Sequence, residues 1–285
     1  MQNPRDLEQE VVVDLKGKLD YSDYLHIEDL VSCQHPLSKE HDEMLFIIQH
    51  QVSELWMKLA IHELRAATDF VRRDDLEPAF KIIARVKQII RQLFEQWAVL
   101  ETLTPSEYVK FRHVFGPASG MQSVQYRTIE FLLGNKDANM IRPFQHKPDL
   151  FASIKEDLES PSLYDEFIMY LGRQNFAVPE NYDQNDFSKI HEADEKITRV
   201  FHQIYSEPQK HWSEYEMAEK LVDVEAQIAQ WRFRHMKTVE RVIGYKRGSG
   251  GTAGVKWLQK VIFIRLFPEL WDVRVLLEEP GNQKS

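Results

Sequence analysis

Residues 244–254 read GYKRGSGGTAG and hold five of the chain's eleven glycines, with Lys246 and Arg247 beside them and the hydroxyls of Ser249 and Thr252 among them. Glycine lets backbone amides crowd an anion, and basic side chains neutralise it, so a phosphate cradle is the first chemistry this composition suggests. The eleven histidines suggest a metal. On a helix, metal ligands must stand three or four residues apart, and no two of these histidines do. The Glu-x-x-His pair of a di-iron carboxylate bundle is missing as well. Iron carried in a porphyrin stays open, because the ring supplies four ligands and the protein needs to give only one.

Three single residues could do further chemistry. His235 sits in the middle of an apolar stripe formed by Met217, Leu221, Val224, Ile228, Trp231, Val239 and Val242 at three- and four-residue steps. It could ligate a metal through one nitrogen, although the pattern by itself favours a core histidine with both nitrogens satisfied. His50 lies on the side of its helix that carries Phe46, Met57 and Ile61, away from the stripe Leu45, Ile48, Val52, Leu55, Trp56 and Leu59. A polar ring with an aromatic one turn before it suits a pocket wall, and a satisfied interior histidine is again the commoner arrangement. Arg112 neighbours Tyr108 and Phe111 in YVKFRHVFGPASG. A planar guanidinium among aromatic rings can grip a small carboxylate with two parallel hydrogen bonds, whereas a surface ion pair is the default for an arginine.

The elements that must position these residues read with a period near 3.6 and not 2. Long helices are expected over about 41–73 and 76–101, the second with Ile82, Ile83, Val86, Ile89, Ile90, Leu93 and Trp97 on its buried face. In TPSEYVKFRHVF, Thr104, Pro105 and Glu107 mark a helix start. Ser160 and Pro161 suggest the same device in SPSLYDEFIMYL. Further helices are expected at about 119–133, 186–205, 209–243, 254–266 and 268–277, with an irregular connection over 134–150. The chain is therefore all-α: one large helical domain over 21–285, preceded by an extension, 1–20, whose order the sequence leaves open. A glycine cluster that follows a long helix and not a strand is a poor phosphate loop.

Net charge of −9 argues against a general affinity for nucleic acid or anionic membrane. The first residues lack a signal-peptide pattern, and no apolar run reaches the roughly 18 residues of a membrane span. Cys33 is the sole cysteine, so no intrachain disulfide can form, which fits a cytoplasmic protein.

Four stretches, HDEMLFIIQHQVSELWMKL, QWAVLETLTPSEYVKFRHVFGPASGMQSVQYRTIEFLLGNK, LVDVEAQIAQWRFRHMKTVERVIG and KRGSGGTAGVKWL, resemble the tryptophan 2,3-dioxygenase family, in its order. The resemblance runs from about Tyr21 to about Val275 and reverses the balance for both histidines. It implies long antiparallel helices enclosing a pocket for one haem b per subunit, with His235 as the axial ligand of the iron and His50 facing the substrate indole nitrogen. It further implies that Arg112, helped by Tyr108, binds the substrate carboxylate, that Phe46 and Phe111 line the indole pocket, and that Ser119 and Gly120 lie near haem and substrate. Ser249 stands where the family usually has threonine; its hydroxyl can still reach the amino-acid end of the substrate, without the methyl that restricts the rotamer. Tyr21, Tyr24 and Leu25 resemble residues that complete a neighbouring subunit's pocket, implying a homotetramer, a dimer of dimers with exchanged N-terminal segments. The implied reaction takes L-tryptophan and O₂ to N-formyl-L-kynurenine, and the glycine cluster becomes a substrate loop that orders over a small ligand.

Overall fold

The computed structural model describes residue 8 and residues 10–277. Two short helices, α1 (Tyr21–Leu25) and α2 (Ile27–Ser32), lead to the long α3 (Asp42–Arg72), α4 (Leu76–Glu95) and the single turn α5 (Trp97–Leu100). After α6 (Pro105–Phe111) and two 3₁₀ turns come α7 (Val124–Leu132), α8 (Pro148–Glu159) and α9 (Leu163–Arg173). The chain ends with α10 (Glu195–Ser206), the long α11 (Trp212–Ile243), α12 (Val255–Ile262) and α13 (Pro268–Leu276). No strand occurs among the described residues, and none of their helices is long and apolar enough to cross a membrane.

The frame is α3, α4 and α11, with α4 packed between the other two. Only three residues join α3 to α4, which makes them an antiparallel hairpin, and Asp74 takes the left-handed conformation, φ 61°, at that corner. On α4 the expected face is buried from Ile83 to Leu93, and Trp97 is buried beyond the helix end. The stripe of α11 is buried too, from Met217 to Trp231, until it reaches His235 at a cavity wall. These faces supply the apolar burial that holds the frame together, at about 25 cal/mol per Å².

On α3 the expected stripe faces the core only in part, through Leu45 and Trp56, which are half-buried and pack against it. Ile48, Val52, Leu55 and Leu59 are exposed, while Gln49, Met57, Ala60, Glu63, Leu64, Ala67 and Thr68 are buried. Two of the polar groups on this face are satisfied: Glu63 accepts both hydrogen bonds of Arg85 on α4 at 2.8 Å, and Thr68 donates to the Leu64 carbonyl at 2.9 Å. Small side chains at Ala60 and Ala67 also let α4 approach closely.

Thr104 and Glu107 form the capping box of α6, with Pro105 in the first turn. In SPSLYD, however, the N-cap is Ser162, which pairs reciprocally with Asp165 in a capping box, and Ser160 closes the preceding helix. That preceding helix, α8, lies partly in the stretch expected to be irregular; Leu150, Ile154 and Leu158 at i, i+4 and i+8 give it an inward face. The helices expected from 119 and 186 begin later, at Val124 and Glu195. Of the N-terminal extension, residues 1–7 and 9 lie outside the described residues.

Candidate functional site

A cavity of about 510 Å³ opens between α3, α5, α6, α11 and the glycine-rich loop. Its wall holds Phe46, His50 and Glu54 from α3, Trp97 from α5, Tyr108 from α6 and His235 from α11. Arg112, Ser119, Gly120 and Ser249 line it as well. Eight residues singled out in the sequence thus meet in one space, although they come from distant parts of the chain.

His235 is held by rings. Trp97 stacks on its imidazole at 4.8 Å between centroids and 12° between planes, and Trp231, one turn earlier on α11, lies at 6.0 Å and 21°. Its ring nitrogens bond to no described residue, and burial, reinforced by the charge of His50, pushes its pKa down to about 4. The imidazole is therefore neutral near pH 7 with a lone pair available, the state a metal ligand requires.

His50 is fixed differently. Its Nδ1 lies 2.7 Å from the Phe46 carbonyl oxygen, and its ring packs on the Phe46 ring at 4.2 Å. A carbonyl can only accept, so Nδ1 carries the proton and Nε2 is left as an acceptor. Burial lowers the pKa of His50 against the opposing effects of the Phe46 carbonyl and of Glu54, which keeps that acceptor unprotonated at neutral pH.

An aromatic group surrounds His50. Phe46 stacks on Phe115 at 4.8 Å and meets Phe111 edge-on at 6.0 Å. Phe111, fully buried, packs behind Phe46 and is not on the wall. Phe115 and Trp257 are on it, although sequence reasoning passed them over. The signal for Phe115 was its place four residues after Phe111, on the same side of a helical turn.

The loop closes over this space through two polar contacts. The guanidinium of Arg112 donates to the backbone carbonyl of Arg247, and the Ser249 hydroxyl donates to the Ala118 carbonyl at 2.5 Å. Burial raises the pKa of Tyr108, which the nearby Arg112 partly offsets. Glycine is required where the loop packs tightly: a Cβ on Gly250 would lie 2.7 Å from that of Ser119, and one on Gly254, at φ +60°, would lie 2.5 Å from the Lys246 carbonyl oxygen. Tyr21, Tyr24 and Leu25 on α1 are exposed and do not line the cavity.

The arrangement offers a lone pair on a neutral buried imidazole, a second imidazole aimed as an acceptor, an aromatic wall and a guanidinium at the mouth. A flat apolar group with a metal at its centre fits beside His235, and a planar aromatic ligand with a donor on its ring and a carboxylate on its tail fits beside His50. Comparison with known proteins agrees with this chemistry. The family model described as tryptophan 2,3-dioxygenase matches residues 6–164 and 186–277. A protein of Serratia proteamaculans named tryptophan 2,3-dioxygenase is 55% identical over 274 residues, covering 95% of this chain and 98% of that protein. One of the same name from Myxococcus xanthus is 53% identical over 280 residues, covering 98% and 96% respectively. Another from Xanthomonas campestris pv. campestris is 54% identical over 274 residues, covering 95% and 92%.

Proposed function

The chain belongs to the tryptophan 2,3-dioxygenase family, and from that premise we infer that it cleaves the indole C2–C3 bond of L-tryptophan with O₂ to give N-formyl-L-kynurenine, opening tryptophan catabolism by the kynurenine route. The observation that carries this reading is the pair His50 and His235 on the wall of one cavity, with Arg112 and Ser249 at its loop side. A haem b fits the residues present: His235 has a free lone pair, no partner among the described residues and flat aromatic neighbours. His235 would hold the iron. Haem, when bound, supplies the redox chemistry that activates O₂.

The chain's own residues orient the substrate. An indole N–H is a very weak acid, so the Nε2 of His50 accepts its hydrogen bond and fixes the ring in place without taking the proton. Phe46 and Phe115 give the indole an apolar wall to lie against. Arg112 binds the carboxylate through its remaining N–H groups in a charge-assisted pair while it keeps its bond to the Arg247 carbonyl, and the Ser249 hydroxyl serves the amino-acid end. Binding energy from that remote end holds the reacting carbons in place, and the loop excludes water.

A homotetramer with exchanged N-terminal segments is part of this proposal. What supports it is the exposure of Tyr21 and Tyr24, at 75% and 71%, together with the bare apolar stripe of α3. A cytoplasmic setting goes with the lone, free Cys33. The test is direct: load the purified protein with haem, reduce it, add L-tryptophan in air and follow product absorbance, with indole as control. A haem-loaded protein that makes no product overturns the activity. His235→Gly should lose the native haem spectrum and regain it with added imidazole; an unchanged spectrum removes His235 as ligand.

A further inference from the structure

Four helices leave a gap between them that none of the roles above uses. Met57 from α3, Ile90 and Leu93 from α4, Ile129 from α7 and Ile228 from α11 surround a space of about 20 Å³. All five are buried. Protein cores are packed as densely as organic crystals, so few voids that admit a small molecule survive in one.

Polar groups reach the same place but turn to one another. Glu130 takes hydrogen bonds from Arg232 and Asn135 at 2.9 Å each and from Arg127, and the Tyr126 hydroxyl accepts from Arg232 at 3.1 Å. The surface facing the void is left almost wholly apolar. A water inside would meet the indole N–H of Trp231, which has no partner among the described residues, and little else. Buried waters need about two to four polar partners, so the space stays dry. It suits a small molecule without a dipole, which gives up no hydrogen bonds on leaving water.

Its position links it to the site. The inner end of the site, a space of about 100 Å³ behind His50 and His235, shares Met57, Tyr126, Trp231 and Arg232 with it. On α3, His50, Glu54 and Met57 follow at i, i+4 and i+7, so a path from the void runs along one helix face to the His50 side. Met57 stands at the join. Its flexible thioether meets the Ser123 hydroxyl at 3.9 Å, a weak contact, so it can swing aside at little cost. At the front, by contrast, the glycine-rich loop lies across the mouth through Arg112 and Ser249. Once the amino-acid end of a substrate fills that mouth, a second small reactant needs another way in.

We propose that this void is a holding site for O₂, from which the gas passes Met57 to the substrate beside His50. The proposal rests on the dioxygenase reading above and deepens it by giving the second substrate a place of its own.

Xenon, which enters dry apolar cavities, tests the site in the haem-loaded protein. In the ferrous carbon monoxide form, with the methyl groups of methionine and isoleucine labelled for NMR, xenon pressure should shift Met57, Ile90, Ile129 and Ile228 together. Ile129→Phe, which fills the void, should abolish those shifts. In turnover it should lower kcat/KM for O₂ several-fold and leave KM for L-tryptophan unchanged. Should that variant not fold, the wild type still decides, because xenon should slow turnover competitively against O₂ and not against L-tryptophan. Methyl signals that ignore xenon, or an ordered water in the void of a haem-loaded crystal, overturn the site. Xenon binding that Ile129→Phe abolishes without changing kcat/KM for O₂ reduces the void to a packing defect and overturns the proposal. Absence of product at every O₂ pressure would overturn the dioxygenase reading and the proposal with it, a result distinct from methyl signals that ignore xenon.

Discussion

The Nδ1 of His50 lies 2.7 Å from the carbonyl oxygen of Phe46, one turn earlier on the same helix, and this single contact leaves Nε2 as the nitrogen without a bond to its own helix. Because Nδ1 must donate there, Nε2 can only accept while the ring is neutral. His50→Ala should keep haem and lower kcat/KM by about ten-fold, the scale of one orienting hydrogen bond, whereas His50→Gln, which retains an acceptor, should lose less. Equal losses in the two variants would show that the acceptor does not matter.

The same contact sets a pH dependence. Protonated His50 has no acceptor for the indole N–H, and burial holds its pKa below the usual 6.5. Activity governed by His50 should stay level as pH falls to that ordinary value and decline only below it, and the decline should be missing in His50→Ala. A pH profile of kcat/KM on both proteins checks this. An acid limb that begins above the ordinary value and survives in the variant belongs to another group.

Much of this was legible in the sequence, and the exceptions have physical causes. The stripe on α11 marked His235 as an inward-facing residue, because that helix is buried along one continuous apolar face from Met217 to Trp231, but by itself it favoured a core histidine. On α3 most of the stripe found by the same method points outward. Its buried face includes alanines and polar groups such as Glu63, which is matched by Arg85 on α4, and periodicity cannot see a partner. Arg112 and Ser249 were singled out in the sequence and both line the cavity, but their contacts to the Arg247 and Ala118 carbonyls join residues more than a hundred positions apart. The cap of α9 was readable, since Asp165 stands three residues after Ser162 and only Leu163 three after Ser160.

The outward stripe of α3 makes a prediction of its own. Ile48, Val52, Leu55 and Leu59 are exposed on one helix side, which is more contiguous apolar surface than a lone subunit needs. Val52→Glu should reduce the molar mass measured by light scattering and lower activity, with the helical circular dichroism retained. A mass unchanged at micromolar concentration would place the subunit contact elsewhere.

Stability should depend on pH through His191. Its Nε2 lies 2.6 Å from the Glu269 carboxylate and its Nδ1 lies 3.1 Å from the Tyr182 hydroxyl, so it ties the segment before α10 to α13. Burial disfavours the imidazolium, but the hydrogen bond and charge of Glu269, with Asp165 and Asp194 nearby, outweigh it and raise the pKa above 6.5. The stabilisation is therefore complete below that value and is lost as pH rises through the raised pKa. Between about pH 6 and about pH 9 the wild type should lose several degrees of melting temperature relative to His191→Gln, the scale of a charge-assisted hydrogen bond of about 1–3 kcal/mol. Parallel melting curves for the two proteins would refute the coupling.

The glycine-rich loop can be tested at the position where it touches the opposite wall. Gly250 approaches Ser119 so closely that an added Cβ would lie 2.7 Å from the serine Cβ, and both neighbours of that contact carry proposed substrate groups. Gly250→Ala must push the loop away from the 117–120 segment, weakening the Ser249 bond to Ala118 and shifting Arg247 from Arg112. Overpacking of this kind costs about 1–3 kcal/mol, so KM for L-tryptophan should rise roughly ten-fold while haem content stays unchanged, since His235 lies on another element. Hydrogen exchange separates loop closure from simple misfolding. In the wild type, residues 246–254 should gain protection when L-tryptophan is added, because a carboxylate on Arg112 and a closed loop reinforce each other. In Gly250→Ala that gain should fall sharply, and protection of α4 and α11 should not change. Equal protection of the loop in both proteins would mean that it is a fixed turn, and that Arg112 grips the substrate without it.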